Sequence, residues 1–277
     1  MTEHSAAGVS EWATKSGSIW ARRWRDTDRG LSGLAPHLLA AIVERAPQGP
    51  FRAFDIGCGP GSTTIDLATA RADADITACD VSGDLAEIAR ERTAGLPQIK
   101  VVKGDALEVA GKAEPFDLLF SRHGVMFFSD PVEAFCALRG AAAPGASIVF
   151  SCFQSWGANP WASQLAAAAA GRALTPPGRE PSGFAFGDPD YMRQIFDASG
   201  WNDASAEGVH FDYRAGSSVE QALDFFLKIG PAARVAQELA DDERDAAIDR
   251  MRSLIEHHFD GSDVIFPAAA WIYSAKA

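Results

Sequence analysis

The stretch that decides the fold is a short apolar run leading into glycines, Phe54-Asp55-Ile56-Gly57-Cys58-Gly59-Pro60-Gly61. The apolar residues of 51–56 predict a buried strand, and residues 62–72 predict the helix after it. Glycine suits such a turn because the chain reverses tightly and a ligand can approach the backbone without meeting side chains. In open parallel sheets ligands bind at the carboxyl ends of the strands, so this loop predicts a ligand site.

Strands and helices continue to alternate after the loop. Further strands are predicted over residues 76–79, 101–102, 116–120 and 147–153. A helix is predicted over 84–93, and Asp130-Pro131 marks the start of another, with Asp130 as N-cap. Because parallel neighbours need a crossover connection, the pattern predicts an α/β fold, a Rossmann-like, doubly wound, mostly parallel sheet.

The regular alternation stops after residue 153. We interpret the chain as one domain over 1–277, with an N-terminal helical segment (1–50), a binding core (51–153) and two insertions (154–187 and 214–262). A helix over 189–199, a strand over 209–213 and an antiparallel last strand over 269–274 complete the prediction. The insertions are expected to form a helical cap over a pocket, and a homodimer contact through the same half stays open.

The spacing of the glycines helps to distinguish a dinucleotide from other ligands. A dinucleotide fingerprint, Gly-x-Gly-x-x-Gly, would require glycine at position 62, where Ser62 stands. The acidic residue Asp55 precedes the loop, where it can meet a cationic ammonium group better than a pyrophosphate.

The loop resembles the first motif of class I S-adenosylmethionine-dependent methyltransferases, and later motifs follow the order of that family. Asp80 lies 23 residues after Gly57, where the family's acidic residue bonds the ribose hydroxyls. Val81 follows, where a hydrophobic residue packs on adenine. Gly104-Asp105-Ala106 resembles the motif whose carboxylate accepts from the adenine amino group, although Asp105 could instead cap the next turn.

The resemblance covers residues 51–153. It includes a fourth strand over 116–121, whose end lies beside the methionyl part of the cofactor, and the turn Ala143-Pro144-Gly145. The stretches 121–128 and Asn159-Pro160-Trp161 further resemble a bacterial branch related to the methyltransferases of ubiquinone and menaquinone synthesis.

The resemblance implies S-adenosylmethionine as cofactor, S-adenosylhomocysteine as product, and a set of cofactor-binding residues. These are Trp20, Asp55, Gly57, Cys58, Gly59, Gly61, Asp80, Val81, Gly104, Asp105, Ala106, Ser121 and Arg122. Trp20 and Trp24 would share one face of a helix over 11–25, which either anchors this segment on the core or also covers the cofactor.

Histidines supply the candidate base. His123 follows the fourth strand at the expected mouth of the site and could act as a general base, or could simply bond nearby backbone. His210 and Tyr213 lie three apart on a predicted strand, so at most one points toward the pocket. The pair His257-His258 is expected at the surface, and no spacing of Asp, Glu and His predicts a metal.

Charge and composition exclude several partners. The net charge is −12 and the pI about 4.9, with Arg22-Arg23-Arg25 as the one basic cluster, interpreted as a solvated face, so nucleic acid is not expected as substrate. No apolar run reaches the ~20 residues that cross a bilayer, and Met1–Ser5 lacks an export signal. We expect a cytoplasmic protein with a small-molecule substrate, no membrane partner and reduced cysteines (Cys58, Cys79, Cys136 and Cys152).

The predicted reaction is methyl transfer to oxygen or carbon of a small, partly aromatic or apolar acceptor. Its motivation is the aromatic content of the insertions, which could equally serve helix packing: Trp156, Trp161, Phe184, Phe186, Phe225 and Phe226. Two alternatives stay open. A nicotinamide-dependent oxidoreductase would share the first strands and Asp80, and a non-catalytic S-adenosylmethionine-binding module would retain every cofactor motif.

Overall fold

A seven-stranded sheet organises residues 12–277, the part of the chain that the computed structural model describes. The strands are β1 (Phe51–Ile56), β2 (Ala74–Asp80), β3 (Ile99–Lys103), β4 (Phe116–Arg122), β5 (Ala142–Phe153), β6 (Asn202–Gly216) and β7 (Val264–Lys276). Their order is β3-β2-β1-β4-β5-β7-β6, and β7 runs antiparallel to both neighbours. This confirms the predicted fold. The segment Met1–Ser5 and the first residue of the predicted helix over 11–25 lie outside the described residues.

Helices cover both faces of the sheet. They are α1 (Lys15–Arg22), α2 (Trp24–Gly30), α3 (Ala35–Arg45), α4 (Ser62–Ala70), α5 (Gly83–Thr93), α6 (Ala106–Gly111), α7 (Pro131–Gly140), α8 (Pro160–Ala170), α9 (Pro189–Ala198), α10 (Val219–Phe226), α11 (Pro231–Glu238) and α12 (Asp241–His257). Two large hydrophobic clusters result, one containing Leu38 and Leu67 and the other Phe135 and Phe196. None of the helices within residues 12–277 is long and apolar enough to span a membrane.

The direction in which successive strands are added to the sheet reverses between β1 and β4. From β1 the chain steps outward to β2 and β3, then returns to place β4 on the opposite side of β1. The segments leaving the carboxyl ends of β1 and β4 therefore part to opposite sides and leave a crevice between them, the position where doubly wound sheets bind ligands.

The last two strands are longer than the sequence predicted. The predicted strand over 209–213 extends over Asn202–Gly216, and the one over 269–274 extends over Val264–Lys276. Residues 202–208 are exposed on an edge strand, so they carry no alternating apolar pattern and are held by main-chain pairing with β7. Pairing of two neighbouring strands, rather than side-chain pattern, sets these boundaries.

One buried amide fastens the first insertion to the sheet. The Asn159 side chain is fully buried. Its Oδ1 accepts from the Ala269 N–H (3.0 Å) and from the Trp161 indole (3.2 Å). Its Nδ2 donates to the carbonyls of Ala269 (3.1 Å) and Ser155 (3.2 Å). All four amide hydrogen bonds would be lost together on truncation.

We expect Asn159→Ala to lower the free energy of unfolding by about 2–4 kcal/mol, because it leaves buried main-chain and indole groups unpaired. Denaturant unfolding measures this change. The matched control is Asn202→Ala on exposed edge backbone, for which we expect a change within about 0.5 kcal/mol. Equal unfolding midpoints for the two variants would show that Asn159 does not fasten the insertion.

Candidate functional site

The glycine loop after β1 adopts a conformation that excludes ordinary side chains. Gly57 and Gly59 have φ values of 65° and 55°, in the left-handed region that glycine occupies without strain. A Cβ on Gly59 would meet no atom within 4 Å, whereas one on Gly57 would lie 3.3 Å from the Gly124 Cα. The loop thus packs tightly against the segment after β4 at Gly57 and presents bare backbone at Gly59.

The carboxylate of Asp80 joins β2 to this loop. Its Oδ2 accepts from the Gly59 main-chain N–H and its Oδ1 from that of Ser82, each at 2.8 Å. Burial raises the pKa of Asp80, and these two hydrogen bonds oppose that rise. The carboxylate is therefore held in one orientation at the carboxyl end of β2.

A pocket opens at the crevice between the loop and the end of β4. It is lined by Trp12, Trp20, Thr27, Leu31, Ile56, Gly57, Cys58, Gly59, Pro60, Cys79, Asp80, Val81, Leu85, Gly104, Asp105, Ala106, Arg122, His123, Gly124, Phe127 and Phe128. Most of the predicted cofactor residues and His123 thus come together. Asp55, Gly61 and Ser121 lie outside this lining. No residue of the described insertions lines this pocket, so its covering comes from the N-terminal segment and not from the expected cap.

Asp55 lies buried behind the pocket. Its Oδ2 accepts from the Thr64 hydroxyl at 2.5 Å, whereas Oδ1 is buried with no hydrogen-bond partner among residues 12–277. Burial raises the pKa of Asp55 to about 7, against the opposing effects of Thr64 and Arg122. The Oδ1 atom of Asp55 therefore lacks the hydrogen bond that a buried carboxylate oxygen requires.

Ser121 and Gly61 hold the site together from behind. The Ser121 hydroxyl donates to the Ile56 carbonyl (2.6 Å) and accepts from the Gly124 N–H (3.1 Å), which ties the end of β4 to the end of β1. Gly61 is the left-handed N-cap of α4. Both residues thus support the site from behind, and their contact with the cofactor stays a prediction.

The sequence left two roles open for Asp105, capping of the next turn and contact with adenine. Its Oδ1 accepts from the N–H groups of Leu107 (2.8 Å) and Glu108 (3.2 Å), so it caps α6. It also lines the pocket next to Ala106. Its contact with adenine stays a prediction.

His123 has an unusual backbone and a buried ring nitrogen. Its φ is 59°, in the left-handed region, and its main-chain N–H donates to the Ser151 carbonyl at 3.1 Å. Its Nδ1 lies 3.0 Å from the Ser151 hydroxyl, and its Nε2 is buried without a partner among the described residues. Burial, reinforced by Arg122, lowers the pKa of His123 to about 3. Such an imidazole is neutral at physiological pH but a weak base, which disfavours the expected role in proton abstraction.

The N-terminal segment supplies the aromatic side of the pocket. The ring of Trp12 makes edge contacts with Trp20 (5.4 Å between centroids) and Phe127 (4.8 Å). The helix predicted over 11–25 is interrupted at Arg23, so Trp24 does not share the pocket-facing side with Trp20. Trp24 instead packs under the guanidinium of Arg92, 4.3 Å from the ring centroid. The prediction that the two tryptophans lie on one helix face is wrong.

Asp28 fastens this segment to the cofactor loop. Its Oδ1 accepts from Arg122 (2.5 Å), and its Oδ2 from the Ser62 hydroxyl (2.5 Å) and from Arg92 (3.3 Å). Arg92 also donates to the Pro60 carbonyl at 2.7 Å. Asp28 thus links α2, the loop and the end of β4. Nothing in the sequence pattern around Asp28 singled it out.

Arginines of the basic cluster serve packing. Arg23 pairs with Asp26 at 3.3 Å and with Asp224, and Arg25 lies over the ring of Trp24. For Arg23, the expectation of a solvated face is wrong, because its partners lie on α2 and α10.

The aromatic residues of the insertions pack with one another. Trp161 stacks on Tyr213, with ring centroids 4.7 Å apart and planes 7° from parallel, and both are buried. Phe226 lies against the same stack. These contacts confirm the helix-packing interpretation. His210 is exposed where Tyr213 is buried, which confirms that they face opposite sides.

Histidines near the C-terminus bond backbone. The Nδ1 of His257 contacts the Ser253 carbonyl at 2.6 Å and that of His258 the Ile265 carbonyl at 3.0 Å. Across residues 12–277 no group of three or more His, Cys, Asp and Glu side chains is placed to hold a metal ion.

The core of the chain is similar in sequence to known methyltransferases. Residues 53–145 match the family model of a methyltransferase domain. Demethylmenaquinone methyltransferase from Staphylococcus aureus (strain MRSA252) is 30% identical over 99 residues, which is 35% of this chain. The match spans only about two fifths of that relative, 41% of its length.

Solved structures share the fold at low sequence identity. The YcgJ protein from Bacillus subtilis gives a TM-score of 0.57 at 13% identity, over 87% of this chain and 97% of that chain. Phosphoethanolamine N-methyltransferase 2 from Haemonchus contortus, in complex with S-adenosylmethionine, gives 0.57 at 16% identity, over 98% of this chain and 60% of that chain. The sequence matches confirm the resemblance of the core to class I S-adenosylmethionine-dependent methyltransferases, and the solved structures show that the fold is shared.

We expect Asp28→Asn to lower the free energy of unfolding by about 1–2 kcal/mol, because Arg122 and Arg92 lose a shared, largely buried carboxylate. Hydrogen exchange should accelerate in α1 and α2. The control is Asp190→Asn, which breaks an exposed pair with Arg193 and should change stability by less than about 0.5 kcal/mol. Unchanged exchange in α1 and α2 would contradict the role of Asp28.

Proposed function

We propose that this chain binds S-adenosylmethionine in the pocket and transfers its methyl group to carbon or oxygen of a small aromatic acceptor. The proposal rests on the arrangement of three groups in the pocket lining. The bare backbone at Gly59, the carboxylate of Asp80 and that of Asp105 lie together at the carboxyl ends of β1, β2 and β3.

The residues present fit this cofactor. Open space beside Gly59 leaves room for a ligand against main chain. Asp55, with one oxygen unpaired, offers a countercharge for an ammonium group and directly precedes Ile56, which lines the pocket. Asp80 can accept from the ribose hydroxyls with lone pairs that its two backbone bonds leave free.

The remaining lining suits an adenine ring. Asp105 can cap α6 with Oδ1 and receive the adenine amino group with its other oxygen. Val81 and Leu85 are apolar side chains from the turn after β2 and from α5, and Trp20 lies in the same pocket. Together they offer apolar surfaces and one acceptor, as a purine requires.

When bound, S-adenosylmethionine would supply a methyl group carried on a positively charged sulfur, with S-adenosylhomocysteine as the leaving group. The work of the chain is to align the acceptor with that methyl group and to exclude water. Trp12, Trp20 and Phe127 form an aromatic cover over the pocket. The Asp28–Arg122 pair fixes that cover to the end of β4, beside the expected position of the methyl group.

The lining beyond the cofactor motifs supports an aromatic acceptor. Phe127 and Phe128 follow β4, and Leu31 of the N-terminal segment also lines the pocket. The matched Staphylococcus relative is by name a methyltransferase of a quinone, whereas the Haemonchus enzyme is by name one of phosphoethanolamine. Rings and apolar side chains favour the first kind of substrate.

Calorimetric titration tests the cofactor. We expect S-adenosylmethionine and S-adenosylhomocysteine to bind and the nicotinamide nucleotides to give no binding heat. Asp80→Asn should weaken both sulfur nucleosides about 10- to 100-fold, because bonds to a carboxylate are lost. The control is Asp75→Asn, an exposed carboxylate at the opposite end of β2, which should bind as the parent does.

The other outcomes separate the alternatives. Binding of a nicotinamide nucleotide alone would replace the proposal with the oxidoreductase. Tight binding of both sulfur nucleosides without methyl transfer to any member of a phenol and quinol panel would favour the non-catalytic module.

We expect cofactor binding to release a proton near neutral pH. The Asp55 carboxyl, whose pKa is raised to about 7, is partly protonated without ligand. A bound ammonium favours the carboxylate and lowers this pKa, so affinity should rise between about pH 6 and pH 7.5. Titrations in buffers of different ionisation enthalpy measure the release. It should disappear in Asp55→Asn and persist in Asp75→Asn; release retained by the Asp55 variant would assign it to another group.

A further inference from the structure

The guanidinium of Arg122 lies at the pocket with most of its hydrogen-bonding capacity unused. Its Nη2 donates to Asp28 Oδ1 at 2.5 Å, whereas Nε and Nη1 make no hydrogen bond within residues 12–277. Neither nitrogen is among the fully buried atoms that lack a partner, although the side chain is only 12% exposed. Because Arg122 lines the pocket, these N–H groups are available to a ligand there.

The positive charge of Arg122 is only partly balanced by its neighbours. The carboxylate of Asp28 also pairs with Arg92 at 3.3 Å, so one anion serves two guanidinium groups. Asp66 interacts electrostatically with Arg122 but forms no ion pair among the described residues, and burial raises the pKa of Asp66. Asp55 also interacts electrostatically with Arg122, and burial raises its pKa to about 7. A largely buried cation with incomplete compensation favours an anionic group on the ligand.

The shape of a guanidinium favours a carboxylate among anions. The group presents two edges, each with a pair of N–H groups, and Asp28 engages a single nitrogen. One complete edge therefore stays free, and it matches the two oxygens of a carboxylate in a planar, paired arrangement. A dianion such as phosphate is disfavoured, because the carboxyl groups of Asp80 and Asp105 lie in the same pocket lining.

We propose that Arg122 binds a carboxylate of the ligand and that Asp28 is the positioning residue that holds its guanidinium in place. The proposal rests on the proposed function and adds a means of ligand selection to it. The carboxylate can belong to the amino-acid part of S-adenosylmethionine or to the acceptor, since both would present the same two oxygens. Asp28 lies on α2, so the N-terminal segment that covers the pocket takes part in selecting the ligand.

Asp28 can position the guanidinium because it is itself held by the core. Its Oδ2 accepts from the Ser62 hydroxyl at 2.5 Å and from Arg92, which leaves Oδ1 in a fixed place for Arg122. An arginine side chain has several rotatable bonds and loses conformational entropy when it is ordered by a ligand. The bond to Asp28 orders Arg122 before the ligand arrives, so the affinity for a carboxylate is higher than for a free arginine.

Two nucleosides that differ by one carboxylate test the cofactor as its source. They are S-adenosylhomocysteine and its decarboxylated form, S-adenosyl-3-thiopropylamine, which retains the adenosine, thioether and ammonium groups. Calorimetry should show that the parent binds the first about 10- to 100-fold more tightly. In Arg122→Gln this preference should fall below about threefold. Asp28→Asn should keep an intermediate preference, at least about threefold below that of the parent.

The preference is a ratio within one variant, so a general loss of stability or of adenosine binding affects both nucleosides alike. The matched controls are Arg193→Gln and Asp190→Asn, the two partners of an exposed ion pair on α9, which should retain the preference of the parent. Arg122→Lys keeps the charge but lacks the planar fork, so its preference should lie between those of the parent and Arg122→Gln.

Benzoate and benzamide test the acceptor as the source, because they differ in charge at the same ring substituent. The measurement is made with S-adenosylhomocysteine bound. A parent that prefers benzoate by about tenfold, with the preference lost in Arg122→Gln, would assign the carboxylate to the acceptor. A preference that depends on Arg122 for the two nucleosides alone would assign it to the cofactor.

Three outcomes are decisive against the proposals. Equal preferences in the parent and Arg122→Gln for both pairs of ligands would overturn carboxylate binding by Arg122. A parent-like preference in Asp28→Asn would overturn its positioning role. If neither nucleoside binds, the proposed function fails. Benzoate and benzamide titrated into the protein alone then decide on Arg122, whose role is supported by a benzoate preference lost in Arg122→Gln and overturned by equal affinities.

Discussion

The hydrogen bond from the Gly59 main-chain N–H to the Asp80 carboxylate is the contact on which the site depends. It joins the loop after β1 to the end of β2, so these two parts of the pocket lining hold each other in place. Because the donor is main chain, the loop needs no side chain to be fixed and can leave its outer surface bare. The second oxygen of Asp80 bonds Ser82, whose hydroxyl caps α5, and this extends the order into the next helix.

The covering segment is attached by charge rather than by a large apolar face. Asp28 receives Arg122, Arg92 and the Ser62 hydroxyl, which come from three different elements of the core. Because these groups are partly buried, the carboxylate of Asp28 needs hydrogen bonds from these donors to offset its lost hydration. The covering segment can therefore attach only where those donors lie. Arg122 itself lines the pocket, so the attachment of the cover and the surroundings of the ligand share one guanidinium group.

The sequence predicted the mostly parallel sheet and the glycine loop well, because glycine spacing and apolar runs are local signals. The resemblance to the methyltransferase motifs located Asp80 and Asp105, and both line the pocket. It missed Asp28 and Ser151, whose roles arise from contacts across 94 and 28 residues of chain. The sequence also predicted an insertion cap from the interrupted alternation of strands and helices, but no described insertion residue lines this pocket. An aromatic residue in a buried stack looks the same in sequence as one that lines a pocket.

Burial acts in opposite directions on two ionisable side chains of the site, Asp55 behind the pocket and His123 in its lining. It holds Asp55 partly protonated and holds the imidazole of His123 neutral. A cation entering the pocket stabilises the carboxylate of Asp55 but further disfavours a proton on His123. One ligand charge therefore favours the ionised form of Asp55 and the neutral form of His123, so ligand charge opposes the effect of burial on Asp55 and reinforces it on His123.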